Sequence, residues 1–168
     1  GLNIVQGARM AGATTIIAVD VTQEKLDLAK KVGATHVING ATSDPVAMVK
    51  EICGGVDYAF EALGRESTIQ QAWGTVGVDG TLILVGLMKN GATITLDAGP
   101  FVNEQSIKGC YFGSANLRKD VPALVKSYLN GELFLDELIS ERIGLEGLNS
   151  AFDRLRAGEG ARNVLVFD

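Results

Sequence analysis

The sequence predicts an α/β fold, built as a doubly wound, mostly parallel sheet followed by a short α+β segment. Two observations lead to this prediction. Short apolar stretches alternate with longer stretches that have the 3.6-residue periodicity of helices. The short stretches are also apolar on both sides, as expected for parallel strands that helices cover on both faces. Strands separated by helices are normally joined by right-handed crossovers within one sheet.

The composition narrows the class of protein. A chain of 168 residues, 46% of them hydrophobic, can bury one substantial core. The net charge of -5 and the pI of about 4.9 argue against nucleic acid or an anionic membrane as a partner, because both select clustered Lys and Arg. No apolar run can span a bilayer, and the first residues lack the pattern of a signal peptide. We therefore expect a cytoplasmic chain.

The first predicted elements alternate between helix and strand. Residues 1–12 have helical spacing of their apolar positions, and residues 15–20 form a strand that is apolar on both sides. Thr22 is expected to cap the helix that follows, and residues 35–38 form the next short strand. Asp44 precedes Pro45, which is the cap and first-turn chemistry of another helix.

The alternation continues as far as residue 112. Further strands are predicted over residues 56–61, 81–86, 93–96 and 107–112, with a helix over residues 67–76. After these strands the pattern changes to an amphipathic helix over 118–131, a second helix around 148–155 and a closing strand over 163–167. We expect a main domain over residues 1–115 and a dependent segment over 116–168, which is too small for a core of its own.

Asp20 has the clearest functional signal. It ends an apolar strand and directly precedes a helix. In dinucleotide-binding α/β folds an acid at this point accepts hydrogen bonds from the ribose hydroxyls of the adenosine. Its charge would repel a 2′-phosphate, so Asp20 predicts NAD rather than NADP. The alternative interpretation is a turn residue at a strand end, and the features that follow in the chain favour the ribose role.

The glycine motif that normally accompanies such an acid is incomplete. In that motif a strand leads into Gly-x-Gly-x-x-Gly about 20 residues before the acid, and counting back from Asp20 reaches Gly1. Gly1 is therefore interpreted as the last glycine, which allows close packing of helix on strand. The first strand and the two other glycines would lie upstream. Three explanations are open: a fragment, a portion of a longer protein, or a natural truncated product.

Several segments, in the same order, resemble the coenzyme domain of zinc-dependent medium-chain alcohol dehydrogenases. They are residues 1–20 with Lys25, residues 55–65 (GVDYAFEALGR), residues 80–86 (GTLILVG), residues 108–113 (KGCYFG) and residues 155–162 (LRAGEGAR). The resemblance covers nearly the whole chain. It implies a Rossmann-type fold that lacks its first strand, and hydride transfer between an alcohol or aldehyde and NAD in the complete parent protein.

The resemblance also implies roles for individual residues. Asp20 and Lys25 would bind the adenosine ribose, and Arg65 would reach the nicotinamide ribose or the phosphates. From the residues alone, an ordinary surface lysine is almost as good an interpretation of Lys25 as a ribose contact. A loop arginine is an equally good interpretation of Arg65. Arg162 would contact the pyrophosphate, for which a guanidinium is well suited. Backbone contacts to the nicotinamide carboxamide are implied for Val85, Gly86, Leu87, Cys110, Tyr111 and Phe112.

The zinc ligands and the proton relay of this family lie in an amino-terminal domain that the sequence does not include. Cys53 and Cys110 are isolated and cannot form a zinc site, so the chain alone is expected to bind no zinc and to be inactive. Members of the family associate through strands of the coenzyme domain, and residues 92–100 (Ala92 to Pro100) resemble that edge. This implies a homo-oligomer.

Two other functions remain open at this point. The first is a non-catalytic nucleotide-binding or dimerisation module. The second is an S-adenosylmethionine-dependent methyltransferase, which also has an acid after its second strand. The ordered resemblance beyond residue 55 argues against the methyltransferase.

Overall fold

A computed structural model describes residues 1–167 and confirms the α/β class. The helices are α1 (Leu2–Met10), α2 (Gln23–Val32), α3 (Pro45–Cys53), α4 (Glu66–Thr75), α5 (Leu117–Leu129) and α6 (Leu148–Arg156). The strands are β1 (Ile17–Asp20), β2 (His36–Asn39), β3 (Val56–Glu61), β4 (Val76–Leu84), β5 (Ser106–Gly109), β6 (Glu141–Ile143) and β7 (Asn163–Leu165). None of the helices within residues 1–167 is long and apolar enough to cross a membrane.

Within the described residues the strands form three separate sheets. β1 pairs with β2, the strands β3, β4 and β5 form a three-stranded sheet in that order, and β6 pairs with β7. The β3–β4, β4–β5 and β6–β7 pairs are parallel. In a doubly wound sheet the first strand is central and pairs with a strand on each side. Within residues 1–167 the predicted doubly wound sheet is present as two sheets, β1–β2 and β3–β4–β5.

The residues group into two compact units. Unit 1 comprises Gly1 and residues 38–120, and unit 2 comprises residues 2–37 and 121–168. The core of unit 1 lies between α4 and the sheet β3–β4–β5. Ile69 of α4 and Leu82 of β4 are both 0% exposed, and Trp73 packs beside them. The burial of alternate residues in β3 fits a strand with one face on this core.

The core of unit 2 is built from α1, α2 and the region around Leu138. Val5, Val32 and Leu138 are buried together there, with Ala29 of α2 beside them. Gln6 of α1 is also fully buried, and its amide nitrogen donates to the Phe134 carbonyl while its amide oxygen accepts from the Phe134 amide. These two hydrogen bonds replace the bonds with water that the amide loses when it is buried, so its burial is not destabilising.

The two predicted helix starts have different outcomes. Asp44 caps α3 as predicted, because its side-chain oxygen accepts hydrogen bonds from the amides of Val46 and Ala47. Thr22 occupies the cap position of α2, but its side chain makes no capping bond. The amide of Thr22 instead donates to the carboxylate of Asp20.

Two strand predictions need correction, and one strand was missed. Residues 93–96 belong to no strand, because no neighbouring strand within residues 1–167 pairs with them. The strand predicted over 107–112 ends at Gly109, so Cys110, Tyr111 and Phe112 lie in the loop beyond β5. The short strand β6 was not predicted, since three residues give too little pattern to detect.

Candidate functional site

The three strands of unit 1 end side by side at one edge of their sheet. In the registers of the two parallel pairs, Glu61 lies opposite Leu84, and Leu84 lies opposite Gly109. The segments that leave these strands, residues 62–65, 85–87 and 110–112, therefore start from the same edge. Ligands of open α/β sheets bind at this carboxyl edge. The structure thus brings the predicted residues Arg65, Val85–Leu87 and Cys110–Phe112 to one side of one sheet.

A buried carboxylate organises the first of these segments. Glu61 is 3% exposed. Its Oε1 accepts hydrogen bonds from the amides of Leu63 (2.8 Å) and Gly64 (2.9 Å) and from the hydroxyl of Thr68 (2.7 Å), and its Oε2 is 2.9 Å from the Gly64 amide. The side chain therefore closes the turn between β3 and α4, directly before Arg65.

The backbone of the same residue holds the second segment. The carbonyl oxygen of Glu61 accepts hydrogen bonds from the amides of Val85 (2.8 Å) and Gly86 (2.9 Å). Because both amides are used within the protein, the carbonyl groups of Val85 and Gly86 are the backbone groups left for a ligand. Leu87 follows with 91% of its surface exposed.

Two glycines allow these segments to approach each other. A Cβ built on Gly86 would lie 2.1 Å from the Gly64 nitrogen, and one built on Gly64 would lie 2.2 Å from the Leu87 carbonyl oxygen. Gly64 also has φ +76°, a conformation that other residues rarely adopt. The contact between the two segments is therefore backbone on backbone, with no room for a side chain.

The third segment projects from the end of β5. The amide of Cys110 donates to the Leu84 carbonyl (3.0 Å), after which the chain leaves the sheet. Tyr111 is 89% exposed and Phe112 is 75% exposed. Phe112, Gly113 and Ser114 have φ values of +51°, +70° and +52°. Positive φ at Phe and Ser is strained, and such strain concentrates at ligand-binding loops.

Arg65 lies at the start of α4, where it is the residue before the first turn. Its carbonyl accepts a hydrogen bond from the amide of Ile69 and lies 3.0 Å from the hydroxyl oxygen of Thr68. Its side chain is exposed. The backbone at Arg65 is thus held by the first turn of α4, and its exposed side chain starts from the carboxyl edge of the sheet.

The predicted residues Asp20, Lys25 and Arg162 belong to unit 2. Asp20 ends β1, and its Oδ1 accepts the Thr22 amide at 3.0 Å, which fixes the carboxylate at the strand end. Lys25 lies in the first turn of α2, and no ion pair within residues 1–167 joins it to Asp20. Arg162 is exposed just before β7, with its backbone bonded to Ser140.

Gly1 is exposed, and the metal-ligating residue types within residues 1–167 are dispersed. A Cβ built on Gly1 would meet nothing within 4 Å, so the strand predicted to pack closely against it is not among the described residues. In the described part of the chain, no group of three or more His, Cys, Asp or Glu side chains could hold a metal ion. The residues described therefore do not fit a zinc site.

Sequence reasoning missed Glu61. The residue lies within the segment 55–65 that carries the family resemblance, but the pattern alone does not show that an acid at a strand end is buried. A signal was present in Gly64 and Thr68, three and seven residues later, which supply a flexible amide and a hydroxyl. An acid followed by such donors is typical of a closed turn.

Comparison with known families gives a match over most of the chain. A sequence model of the family described as zinc-binding dehydrogenase matches residues 1–130.

Individual relatives extend the match to the full length of the chain. Alcohol dehydrogenase class-3 of Oryza sativa subsp. japonica is 37% identical over 178 residues, covering 100% of this chain and 45% of that protein. The crystal structure of benzyl alcohol dehydrogenase from Acinetobacter calcoaceticus has a TM-score of 0.95 at 35% identity, covering 100% of this chain and 47% of that one. The chain thus spans about half the length of these relatives.

A third relative bears on the cofactor. The crystal structure of a zinc-binding dehydrogenase from Sinorhizobium meliloti bound to NADP has a TM-score of 0.81 at 26% identity, covering 99% of this chain and 49% of that one.

Proposed function

This chain belongs to the zinc-binding dehydrogenase family, and on that basis we propose that it is the NAD-binding portion of an alcohol dehydrogenase. The observation that carries the proposal is the alignment of Glu61, Leu84 and Gly109 at one carboxyl edge, from which three predicted cofactor segments start. In the complete protein the reaction would be hydride transfer between an alcohol or aldehyde and NAD. We also propose that residues 1–115 are the cofactor domain and 116–168 a segment of the catalytic domain, in a cytoplasmic protein.

Each group of residues has its own task in this proposal. Asp20 and Lys25 bind the adenosine ribose, Arg162 binds the pyrophosphate, and Arg65 binds the phosphates or the second ribose. The segments 85–87 and 110–112 orient the nicotinamide ring. When bound, NAD supplies the hydride acceptor, and the protein supplies binding and orientation.

The choice of NAD over NADP rests on Asp20. Its carboxylate is held at the end of β1 by the Thr22 amide, so it cannot easily turn away from a ligand. A 2′-phosphate placed there would meet a fixed negative charge, whereas a ribose hydroxyl would find an acceptor. The NADP-bound relative shows that one zinc-binding dehydrogenase accepts the phosphorylated cofactor, so the preference is a property to be tested for this chain.

The test is a calorimetric titration of the purified chain with NAD and with NADP. We expect NAD to bind more tightly than NADP, and Asp20→Ala to weaken NAD binding while reducing the discrimination. Asp27→Ala, on the exposed side of α2, is the matched control and should leave both affinities unchanged. A chain that binds NADP as tightly as NAD contradicts the assigned preference, and one that binds neither contradicts the function.

A second candidate function, association of two copies, is favoured by the extended segment at residues 93–97. One edge of this segment is held by α4: the Thr95 amide donates to Glu66, the Thr95 carbonyl accepts from Gln70, and the Asp97 carbonyl accepts from Trp73. Backbone groups of successive residues in an extended chain point to opposite edges.

The opposite edge of the same segment is open. No hydrogen bond from residues 1–167 reaches the backbone groups of Ile94 or Leu96. Such an edge is suited to pairing with the same segment of a second copy. We propose that the chain forms a dimer in this way, through residues 92–100.

Sedimentation velocity tests the dimer. The double variant Thr93→Lys/Thr95→Lys puts charges on two exposed side chains of the segment. Like charges facing each other across a strand pair are destabilising, so the variant should sediment as a monomer at concentrations where the wild type is a dimer. Lys89→Gln and Asn90→Lys, on the exposed loop before the segment, serve as controls. A wild-type chain that is monomeric throughout contradicts the proposal.

A further inference from the structure

The inference concerns Glu61 and rests on the proposed function. We propose that Glu61 is a positioning residue, which sets the placement of the two segments that orient the nicotinamide end of the cofactor. It does so without touching the cofactor, because its carboxylate is buried and fully engaged with the protein.

Glu61 links both segments through different parts of one residue. Its side chain binds the amides of Leu63 and Gly64, and its backbone carbonyl binds the amides of Val85 and Gly86. A shift of the carboxylate therefore also moves the backbone carbonyl of the same residue. The segment before Arg65 and the segment 85–87 cannot move independently while these bonds are made.

The close backbone contact makes this coupling stiff. The Cβ position of Gly86 lies 2.1 Å from the Gly64 nitrogen and 2.7 Å from Oε2 of Glu61. Gly86 has no Cβ, and the place that a Cβ would take is already filled by these neighbouring atoms, so the turn has no room to move toward the 85–87 segment. The carboxylate therefore acts as a spacer as well as an acceptor, and a shorter or missing side chain would let the two segments collapse or separate.

The chemistry calls for an ionised acid at this position. Oε1 accepts three hydrogen bonds and Oε2 accepts from the Gly64 amide, so both oxygens face only donors. A buried charge is tolerated only when it is bonded in this way, and charged acceptors make the stronger bonds. Glutamine keeps the shape and one acceptor oxygen but sets its amide group against a donor. Alanine removes every one of these bonds.

The graded series Glu61→Gln and Glu61→Ala tests the proposal on the full chain. NAD and AMP are titrated by calorimetry, since AMP carries only the adenosine side of the cofactor. We expect AMP affinity to stay within about twofold, while NAD binds about tenfold or more weakly to Glu61→Ala, the cost of losing hydrogen bonds to a charged acceptor. Glu61→Gln should fall between. Glu51→Gln, an exposed acid of α3, is the control.

Hydrogen exchange provides a readout that needs no ligand. Glu61→Ala should speed exchange at Leu63 and Gly64, which lose their acceptor, and also at Val85 and Gly86, which bond only to the unchanged backbone carbonyl. Faster exchange at Leu63 and Gly64 alone would overturn the positioning role. An equal loss of affinity for NAD and for AMP would overturn it as well. A wild-type chain that binds no NAD contradicts the proposed function instead, and the exchange at Val85 and Gly86 then decides the inference.

Discussion

At the scale of single residues, the predicted site depends on backbone geometry more than on side-chain chemistry. The amides of Val85 and Gly86 are held by the Glu61 carbonyl, and Gly64 and Gly86 leave space for two loops to touch. These two glycines are therefore required by their surroundings, whereas an exposed glycine such as Gly7, which lies within α1, is not. Replacement of each glycine by alanine adds one methyl group and distinguishes a closely packed glycine from an exposed one.

Gly86→Ala and Gly7→Ala should have opposite effects on stability. A methyl on Gly86 would lie 2.1 Å from the Gly64 nitrogen, so the loops must separate, at a cost of about 1–3 kcal/mol. A methyl on Gly7 meets nothing within 4 Å and reduces the freedom of the unfolded chain, so the variant should be more stable by about 0.4–1 kcal/mol. Urea unfolding followed by circular dichroism measures both. Equal shifts in one direction would show that Gly86 is not closely packed.

At the scale of elements, what the sequence predicts well is what local chemistry determines. The Asp44–Pro45 start of α3 was predicted correctly because a cap needs only the next few amides. The strand at residues 93–96 was wrong because a strand requires a neighbour, and the pattern of apolar residues cannot supply one. Ile94 and Leu96 still pack inward on the core of unit 1, so the alternation that suggested a strand has a real cause.

The residues of the candidate site differ in the same respect: some are marked by local sequence, and others depend on distant parts of the fold. Asp20 could be identified from the chain alone, since its position between a strand and a helix is a local feature. Glu61 could not, because its burial depends on Thr68 of α4 and on the sheet beneath it. Sequence reasoning therefore nominates candidate ligand-binding residues more readily than residues that hold other residues in place.

Within unit 2, one buried side chain of α1 that sequence reasoning also passed over binds the backbone of a distant residue. The Gln6 amide makes paired hydrogen bonds with both backbone groups of Phe134, at 3.0 Å and 2.7 Å. Gln6→Ala would leave these two groups without their partners inside the protein. Each unsatisfied group costs about 1–3 kcal/mol, so for the two groups we expect a loss of about 2–6 kcal/mol in the free energy of unfolding.

Gln23→Ala is the control for this prediction. Gln23 also makes a side-chain hydrogen bond, to Asp27, but on the exposed surface of α2. Its removal should change stability by no more than about 0.5 kcal/mol. Thermal unfolding of the two variants makes the comparison, and an equally small effect of Gln6→Ala would show that water replaces the lost bonds.

At the scale of the whole molecule, surface hydrophobicity and net charge have opposite effects on the association of copies of the chain. The sequence predicted an amphipathic helix over residues 118–131, and no residue of the observed α5 is buried. Leu124 is 49% exposed, Val125 is 51% exposed and Leu129 is 75% exposed. Exposed stripes of this kind promote association, while a net charge of -5 at pH 7 keeps copies of the chain apart.

Association should therefore increase as the charge is removed. Light scattering should rise when the pH is lowered from 7.5 toward the pI of about 4.9, and when added salt screens the charge. Leu124→Gln should reduce this rise, because it interrupts the apolar stripe. Ala123→Gln introduces the same side chain on the opposite face of α5 and should leave the rise unchanged. If the two variants behave alike, the association arises elsewhere, and the open edge at residues 93–97 becomes the surface to test next. If only Leu124→Gln suppresses it, the stripe of α5 is a contact surface separate from that edge.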